Sequence, residues 1–193
     1  MDKTYADTGR LLLAVAPDVF ANDIFAMKGG TAINLFVQDM PRLSVDIDVV
    51  YLPWQTPRDE ALQAINQELA AIAARVAPLG VQTRLVRAKD LGDTKLIVEN
   101  DASQVKIEVN VVFRGSVLPV ERRPLSAKTS DLFGVEFELP VLAPDELYAS
   151  KLVAALDRQH PRDLFDVWQL YESGDISDGM VECFVIYLAG HNR

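Results

Sequence analysis

Two adjacent glycines are the feature that most constrains how this chain can fold. Gly29 and Gly30 close a short apolar run over residues 23–28 and precede Thr31. The run predicts a buried strand that ends in a turn, and Thr31 is the predicted N-cap of a helix over 32–38. Such a turn leaves backbone N–H groups bare at a helix start, where they can bind an anion. Gly-Gly alone is weak evidence, because most such pairs are only turns.

Two aspartates alternate with apolar residues in the next predicted strand, residues 45–52. Asp46 and Asp48 are two positions apart, so their side chains project from the same face. Carboxylates that lie close together repel and raise each other's pKa, and a divalent cation that prefers oxygen ligands relieves the repulsion. Two exposed carboxylates are the simpler interpretation, although Asp is a poor strand former.

The combination of these two features is more specific than either alone. A Gly-Gly helix start that leads into an Asp-x-Asp strand brings a phosphate cradle beside a metal-binding pair, and phosphoryl or nucleotidyl transfer needs both. A third acid, Glu108, lies in the alternating strand 105–111 and would complete a two-metal site. The alternative for Glu108 is an exposed strand residue paired with a neighbouring cation.

Two later helices carry charged residues. Lys151 lies among Leu, Val and Ala in the first helix, and Asp163 and Asp166 share a face of the second because they are three residues apart. Ordinary structural roles exist for all three. A lysine stem can cover apolar surface while its amine reaches water, and acids favour the first turn of a helix. The second role explains Asp163 better than Asp166.

Strands and helices are mixed in the first part of the chain, and only helices follow. This order predicts an α+β fold with a core over 1–140 and a helical C-terminal section over 141–193 packed on it. Asn100 and Asp101 predict a hairpin turn. Helices are predicted over 4–16, 57–76, 145–158, 162–172 and 177–188, with further strands over 81–87, 95–99 and 104–113 and short ones around 133–139.

Composition limits the class of protein and its partners. The chain has 193 residues, 49% of them hydrophobic and 24% charged, as in an ordinary globular protein. Its net charge of −9 argues against a general nucleic-acid coat protein. Residues 84–128 are the exception, with nine basic and six acidic side chains. They form either a surface for a polyanion, including Arg122, Arg123 and Lys128, or solvated strand edges guarded by Lys and Arg.

Cysteine usage and apolar runs bear on location. Cys183 is the one cysteine, so the chain has no internal disulfide and no Cys-based zinc site, and its two histidines are too few for a His-rich metal site. No apolar run approaches the roughly 18 residues of a membrane span. The run over 11–16 lacks the basic flank and cleavage site of a signal peptide. We therefore expect a cytoplasmic protein that does not enter a membrane.

Four blocks of the sequence combine these features. They are Gly29-Gly30-Thr31-Ala32; Arg42-x-Ser44-x-Asp46-Ile-Asp48; Lys106-Ile-Glu108-Val-Asn110; and Lys151-Leu-Val-Ala-Ala-Leu with Arg158 and Pro161-Arg162-Asp163-Leu-Phe-Asp166. The first three blocks are similar to the nucleotidyltransferase fold, a mixed β-sheet flanked by helices. All four together more closely resemble the AbiEii/AbiGii group, the toxins of type IV toxin–antitoxin and abortive-infection systems. The resemblance covers residues 25–172.

The resemblance implies a role for each of these side chains. The enzyme would use an NTP and Mg²⁺, with Mn²⁺ as an alternative metal. Gly29, Gly30 and Thr31 would hold the triphosphate, and Lys151 would bind its phosphates. Asp46 and Asp48 would bind the metal, and Glu108 would be the third metal-site acid and activate the attacking hydroxyl. Asp163 would lie near the base, the sugar or Lys151, whereas Arg42 and Ser44 would brace the loop before the metal strand, with Ser44 also near the nucleotide.

The function implied by the resemblance is transfer of a nucleoside monophosphate to an acceptor hydroxyl with release of pyrophosphate. RNA, first a tRNA 3′ end, is the expected acceptor, with residues 84–128 as the RNA-facing surface and an antitoxin as partner. The acidic charge also suits a cationic small molecule such as an aminoglycoside, and a protein acceptor is a further alternative. Members of the group have a larger helical C-terminal part than this sequence. A third hypothesis is therefore a nucleotide-binding or partner-binding module without turnover. The presence of Asp46, Asp48, Glu108 and Lys151 argues against it.

Overall fold

A computed structural model describes residues 3–88, 92–174 and 176–191, and within them seven strands form one mixed sheet flanked by helices. This is the α+β fold that the sequence predicts. The strands are β1 (Phe25–Lys28), β2 (Asp46–Tyr51), β3 (Gln82–Ala88), β4 (Gly92–Glu99), β5 (Gln104–Asn110), β6 (Glu121–Pro124) and β7 (Glu138–Val141). The helices are α1 (Lys3–Val19), α2 (Gly29–Ala32, continued by a π-helical turn, Ile33–Val37), α3 (Arg58–Val76), α4 (Ala127–Phe133), α5 (Pro144–Arg158), α6 (Pro161–Ser173) and α7 (Asp178–Ala189).

The strand order brings four charged residues into line across the sheet. The order is β3-β4-β5-β2-β1-β7-β6, and β2 is antiparallel to β1 and parallel to β5. The register pairs Lys28 with Asp48 and Asp48 with Glu108. Glu108 is paired in turn with Lys95 of antiparallel β4. Because paired residues of neighbouring strands share a face, these four side chains project from one side of the sheet.

The opposite face of the same strands forms the hydrophobic core. Ile47 and Ile107, which alternate with the charged residues, are fully buried. They belong to one apolar cluster with Leu12 of α1 and Ile65 of α3. Full burial of a side chain of this size contributes about 1.5–3 kcal/mol. The apolar face fixes the register, since a slip of one residue would send the aspartates of β2 into the core.

Most of the predicted elements are confirmed to within three residues at their ends. α3 begins at Arg58, directly after Pro57, and ends at Val76. The predicted hairpin turn joins β4 to β5, and the Asn100 side chain accepts hydrogen bonds there from the backbone N–H groups of Ala102 and Ser103. α5, α6 and α7 are the three helices predicted for the C-terminal section.

The helix after the two glycines begins earlier than predicted. Gly29 is its first residue and Lys28 its N-cap, so the prediction that Thr31 caps a helix starting at residue 32 is wrong. Thr31 is fully buried, and its hydroxyl donates a hydrogen bond to the backbone carbonyl of Asp46. A buried hydroxyl requires such a partner. The contact ties the start of β2 to α2.

The sequence patterns miss two elements between residues 114 and 143, β6 and α4. The side chain of Ser126 caps α4 by accepting a hydrogen bond from the N–H of Thr129, and Gly134 ends the helix in a left-handed conformation. Both are ordinary helix signals. A helix of seven residues is, however, too short for its apolar period to stand out. The strand predicted around 133–139 lies instead at Glu138–Val141.

The C-terminal helices follow β7 and return to the middle of the fold. The predicted division at residue 140 lies within β7, which pairs with both β1 and β6. α5 contacts α2, α6 and α7, so it stands between the Gly-Gly turn and the end of the chain. No helix in the described part of the chain is both long and apolar enough to cross a membrane.

Replacing Gly29 by alanine should destabilise the fold. Gly29 has a φ of +76°, and a Cβ there would run into the Asp48 carboxylate. A residue held in this backbone region costs about 1–3 kcal/mol, and the contact adds to that. Gly134→Ala is the matched control, because Gly134 also has a positive φ but no heavy atom of a described residue within 4 Å of its Cβ position. Urea unfolding should show the larger loss for Gly29→Ala; equal losses would contradict the close approach.

Candidate active site

A row of charged side chains crosses four strands on the open face of the sheet. In order it contains Lys28, Asp48, Glu108 and Lys95, and Asp46 lies on the same face two residues before Asp48. The structure therefore brings the three predicted acids together. Lys95 Nζ lies 2.7 Å from Glu108 Oε1. Glu108 therefore forms an ion pair with a neighbouring cation, as the alternative prediction for this residue expects.

The carboxyl group of Asp48 is strongly perturbed. Its pKa is raised to about 6, first by burial and then by the negative charges of Glu108 and Asp46, against the opposing charges of Lys28 and Lys151. Perturbed acids that face a cleft are typical of functional sites. A cation bound beside Asp48 would favour its charged form.

Lys28 is a site residue that the sequence patterns miss. Burial lowers its pKa, against the opposing charges of Asp48 and Glu146. Its Nζ lies 5.8 Å from the centroid of the Tyr187 ring, and that ring stacks on Phe113 at 4.3 Å. The Tyr187 hydroxyl donates in turn to Glu146, which is fully buried. A cation–π contact with a ring fixed in this way holds the ammonium group over the cleft.

Lys151 and Asp163 meet in a buried cluster beside the row. Lys151 is 6% exposed, and its Nζ lies 3.0 Å from Asp163 and 3.2 Å from Asp166. The interpretation of Lys151 as a lysine that reaches water is therefore wrong. Arg158 Nε donates to Asp163 as well, at 2.7 Å. Although burial opposes them, the hydrogen bonds from Arg158 and Lys151 hold the pKa of Asp163 below its ordinary value, so its charge is kept.

Asp166 joins the C-terminal helices to the loop before β2. It is 1% exposed, and Arg42 donates to it from Nε at 2.8 Å and from Nη2 at 2.6 Å. Asn34 donates a further hydrogen bond at 3.2 Å. Bidentate pairs of this kind are among the strong charged contacts of proteins. Arg42 thus braces its loop against α6, and a helix-dipole role alone does not account for an acid this buried.

The glycines and Ser44 line the same cleft, but the Thr31 hydroxyl does not reach it. A Cβ on Gly30 would lie 2.9 Å from Arg42 Nη2 and 3.2 Å from Ser44 Oγ. Gly29 and Gly30 therefore leave the backbone open where a side chain would block it. Because the Thr31 hydroxyl is bonded to the Asp46 carbonyl, a role in phosphate binding rests on the Thr31 backbone.

The cleft consists of two connected cavities. The main cavity has a volume of about 670 Å³ and includes Lys28, Phe113 and Tyr187 in its wall. The side cavity, about 230 Å³, includes Arg42, Ser44, Asp46, His160 and Arg162. Five residues line both cavities and mark the place where they meet: Gly30, Asp48, Glu108, Lys151 and Arg158.

The acids of the cleft fit a magnesium ion in part. Within the described residues, no three Asp, Glu, His or Cys side chains converge closely enough to hold a metal by themselves. Mg²⁺ typically takes one or two carboxylates and completes its shell with water and substrate phosphate. Asp46 and Asp48 suit that donor set, and the charge of Asp46 adds to burial in raising the pKa of Asp48. Glu108 would join only after its ion pair with Lys95 opens.

The described basic residues of the segment 84–128 do not form one surface. β3, which carries Arg84, and β6, which carries Arg122 and Arg123, are the opposite edges of the sheet. Lys95 is turned to Glu108 in the central row. Residues 89–91 of this segment lie outside the described residues.

The fold and the position of these acids define the class of protein. A mixed sheet in which a Gly-Gly turn precedes an Asp-x-Asp strand is a nucleotidyltransferase fold, as the sequence predicts. The structure matches MenT4, the nucleotidyltransferase toxin Rv2826c from Mycobacterium tuberculosis H37Rv, with a TM-score of 0.65 and 23% sequence identity. The match covers 94% of this chain and 65% of that one, so this chain spans less than two thirds of the length of MenT4.

The chain belongs to the family described as nucleotidyl transferase AbiEii toxin, type IV toxin–antitoxin system, whose model matches residues 10–193. This confirms the family that the four sequence blocks predict. No curated protein sequence matches the chain significantly.

Asp48→Asn should stabilise the metal-free protein at neutral pH. The pKa of Asp48 in the folded protein, about 6, lies above its ordinary value of 3.8, so the folded state binds this proton more tightly than the unfolded state. Stability is therefore lost as pH rises from about 4 to about 6 and stays reduced above that. Asparagine has no such titration, and the variant should gain about 1–3 kcal/mol over the wild type at about pH 7.5.

Chemical unfolding in EDTA at about pH 4 and about pH 7.5 measures this effect. Asp101→Asn, in an exposed turn, controls for the loss of a carboxylate as such. A gain of the same size at both pH values would show that Asp48 is not the acid whose burial matters.

Proposed function

We propose that this protein transfers a nucleoside monophosphate from an NTP to an acceptor hydroxyl, with release of pyrophosphate, and that the acceptor is RNA, first a tRNA 3′ end. One observation carries the proposal. Asp48 and Glu108 are neighbours in register, Asp46 shares their face, and Gly30 and Lys151 line the same cleft. Carboxylates, cations and an open backbone edge are what transfer at a phosphorus atom requires.

The main cavity suits the donor nucleotide. Its volume of about 670 Å³ lies within the range of small-ligand sites. Lys28, Lys151 and Arg158 line it and would bind the triphosphate, while the two glycines would let a phosphate approach the backbone. Phe113 and Tyr187 offer an aromatic wall to the nucleoside.

The carboxylates divide the chemistry among them. Asp46 and Asp48 would hold Mg²⁺ or Mn²⁺, which when bound neutralises charge on the phosphoryl group being transferred. The acceptor oxygen forms a bond to the α-phosphorus while the bond from that phosphorus to the bridging β-oxygen breaks. Pyrophosphate leaves with the electron pair of the broken bond. Glu108, released from Lys95, takes the hydroxyl proton and returns it to solvent.

The family supports a biological role for this reaction. AbiEii proteins are described as toxins of type IV toxin–antitoxin systems, and a toxin of this kind implies a cognate antitoxin as partner. MenT4, whose solved structure has a similar fold, is likewise described as a nucleotidyltransferase toxin. Modification of an RNA needed for translation would stop growth, and the antitoxin would counter that effect.

Label transfer tests the proposed reaction. Purified protein is incubated with magnesium, total tRNA and each NTP in turn, labelled on the α-phosphate. We expect label on tRNA with one or more NTPs, abolished by EDTA and restored by Mg²⁺ or Mn²⁺. Asp48→Ala should lower the rate by about 100-fold or more, because it removes a group that stabilises the transition state.

Other outcomes of the same assay separate the alternatives. Metal-dependent NTP binding with no label on RNA would contradict the RNA acceptor and redirect the search to proteins and small molecules. Absence of NTP binding would contradict enzyme action and favour a partner-binding module.

Lys28→Met should weaken binding of the nucleotide. The substitution removes one of the three cations of the main cavity while keeping a side chain of similar length. A hydrogen bond to a charged group contributes about 1.5–3 kcal/mol, so KM for the NTP should rise about tenfold or more, with a smaller change in kcat. Lys28→Arg should recover part of the affinity.

Steady-state kinetics with the NTP identified by label transfer measures both constants. Lys3→Met, in an exposed position of α1, is the matched control for loss of a lysine charge. An unchanged KM in Lys28→Met would exclude a contact between Lys28 and the phosphates.

A further inference from the structure

The two cavities of the cleft differ in size. The main cavity, about 670 Å³, is large enough for a nucleotide, whereas the side cavity, about 230 Å³, falls below the usual range of ligand sites. Both reach Asp48, Glu108 and Lys151. When a nucleotide occupies the main cavity, the side cavity would therefore remain as a second, smaller route by which another substrate reaches the same carboxylates.

The walls of the two cavities also differ in chemistry. Phe113, Tyr187 and several valines line the main cavity. Among the residues that the structure describes, none with an apolar side chain lines the side cavity: apart from Gly30, each is charged or polar. The main cavity therefore offers the larger aromatic surface to a base, whereas the side cavity offers charged and polar side chains. The side cavity suits a sugar hydroxyl and the phosphate next to it.

The charge at the opening of the side cavity is positive. Arg162 is exposed and makes no ion pair with any described residue. The side chain of Arg158 is 62% exposed, although it also binds Asp163. His160 is exposed beside them. Lys151 and Arg158 already offset the charge of Asp163, which leaves Arg162 free to attract an anion.

We infer that the side cavity receives the hydroxyl-bearing end of the acceptor and that Arg162, with Arg158, binds the adjacent phosphodiester of an RNA strand. This inference rests on the proposed transferase function. It selects an anionic acceptor over a cationic small molecule, because Arg162 would repel the latter. It also moves the RNA contact from residues 84–128, whose arginines in β3 and β6 lie at opposite edges of the sheet, to the start of α6.

Charge reversal at Arg162 tests the inference. Arg162→Glu should lower label transfer to tRNA about tenfold or more at moderate salt, while binding of the NTP changes by less than about twofold. Arg162→Lys should keep most of the activity, since a phosphate contact needs charge more than fork geometry. Arg58→Glu, at an exposed position of α3, is the matched control for the same change of charge.

Binding of RNA is measured separately from transfer. Fluorescence anisotropy with a 5′-labelled oligonucleotide that ends like tRNA needs no turnover, so it gives an answer even if the proposed reaction fails. We expect weaker binding by Arg162→Glu, with a salt dependence reduced by about 0.7 in the logarithmic slope for each lost contact to a single strand. Wild-type and Arg58→Glu proteins should bind alike.

Three results would overturn the inference. The first is equal RNA binding by Arg162→Glu and the wild type. The second is loss of RNA binding in Arg122→Glu but not in Arg162→Glu, which would put the RNA at the β6 edge. The third is absence of RNA binding by the wild type. If the wild-type protein binds RNA but transfers no label to it, only the proposed function is overturned.

Discussion

The parallel pairing of β2 with β5 is the constraint on which the site depends, because it sets Asp48 directly beside Glu108. Two adjacent carboxylates repel, so this contact does not favour the register. The choice is made on the opposite face, where Ile47 and Ile107 are buried. Apolar burial of several kilocalories outweighs the repulsion of two partly screened charges. The core thus holds the acids close together, and their negative charges add to the effect of burial in raising the pKa of Asp48.

Lysines from the flanking strands reduce the cost of this arrangement. Lys28 stands on one side of the acid pair and Lys95 on the other. They differ in what holds them: Lys95 is bonded to Glu108, whereas Lys28 lies over the Tyr187 ring. The first lysine neutralises an acid of the row directly. The second keeps its amine near the acids and leaves it open to a ligand.

The sequence predicts the local part of this site and not the non-local part. Asp46 and Asp48 share a face because a strand has a period of two, and that follows from their spacing alone. The long helix α3 is predicted for a similar reason, since Pro57 and an apolar period mark it. The roles of Lys28 and Lys95 depend on which strands are neighbours in the sheet. The pattern of a single sequence does not specify that order.

Two further errors arise from contacts between separate elements. Thr31 has the residue type of an N-cap, but its hydroxyl donates to the backbone carbonyl of Asp46, and the helix begins at Gly29, three residues before the predicted start. Lys151 in an apolar helix suggests a side chain that reaches water. Asp163 and Asp166 of the next helix form ion pairs with it, so the packing of the two helices determines where the lysine lies.

The contact between Arg42 and Asp166 joins residues 124 positions apart and has a consequence for how the two positions evolve. Both groups are largely withdrawn from water, so the loss of either leaves the other as an uncompensated charge. The two positions are therefore expected to vary as a unit among relatives. A chimaera that exchanged the helices after β7 between distant relatives would have to exchange the loop before β2 as well, even though that loop lies in the first quarter of the chain.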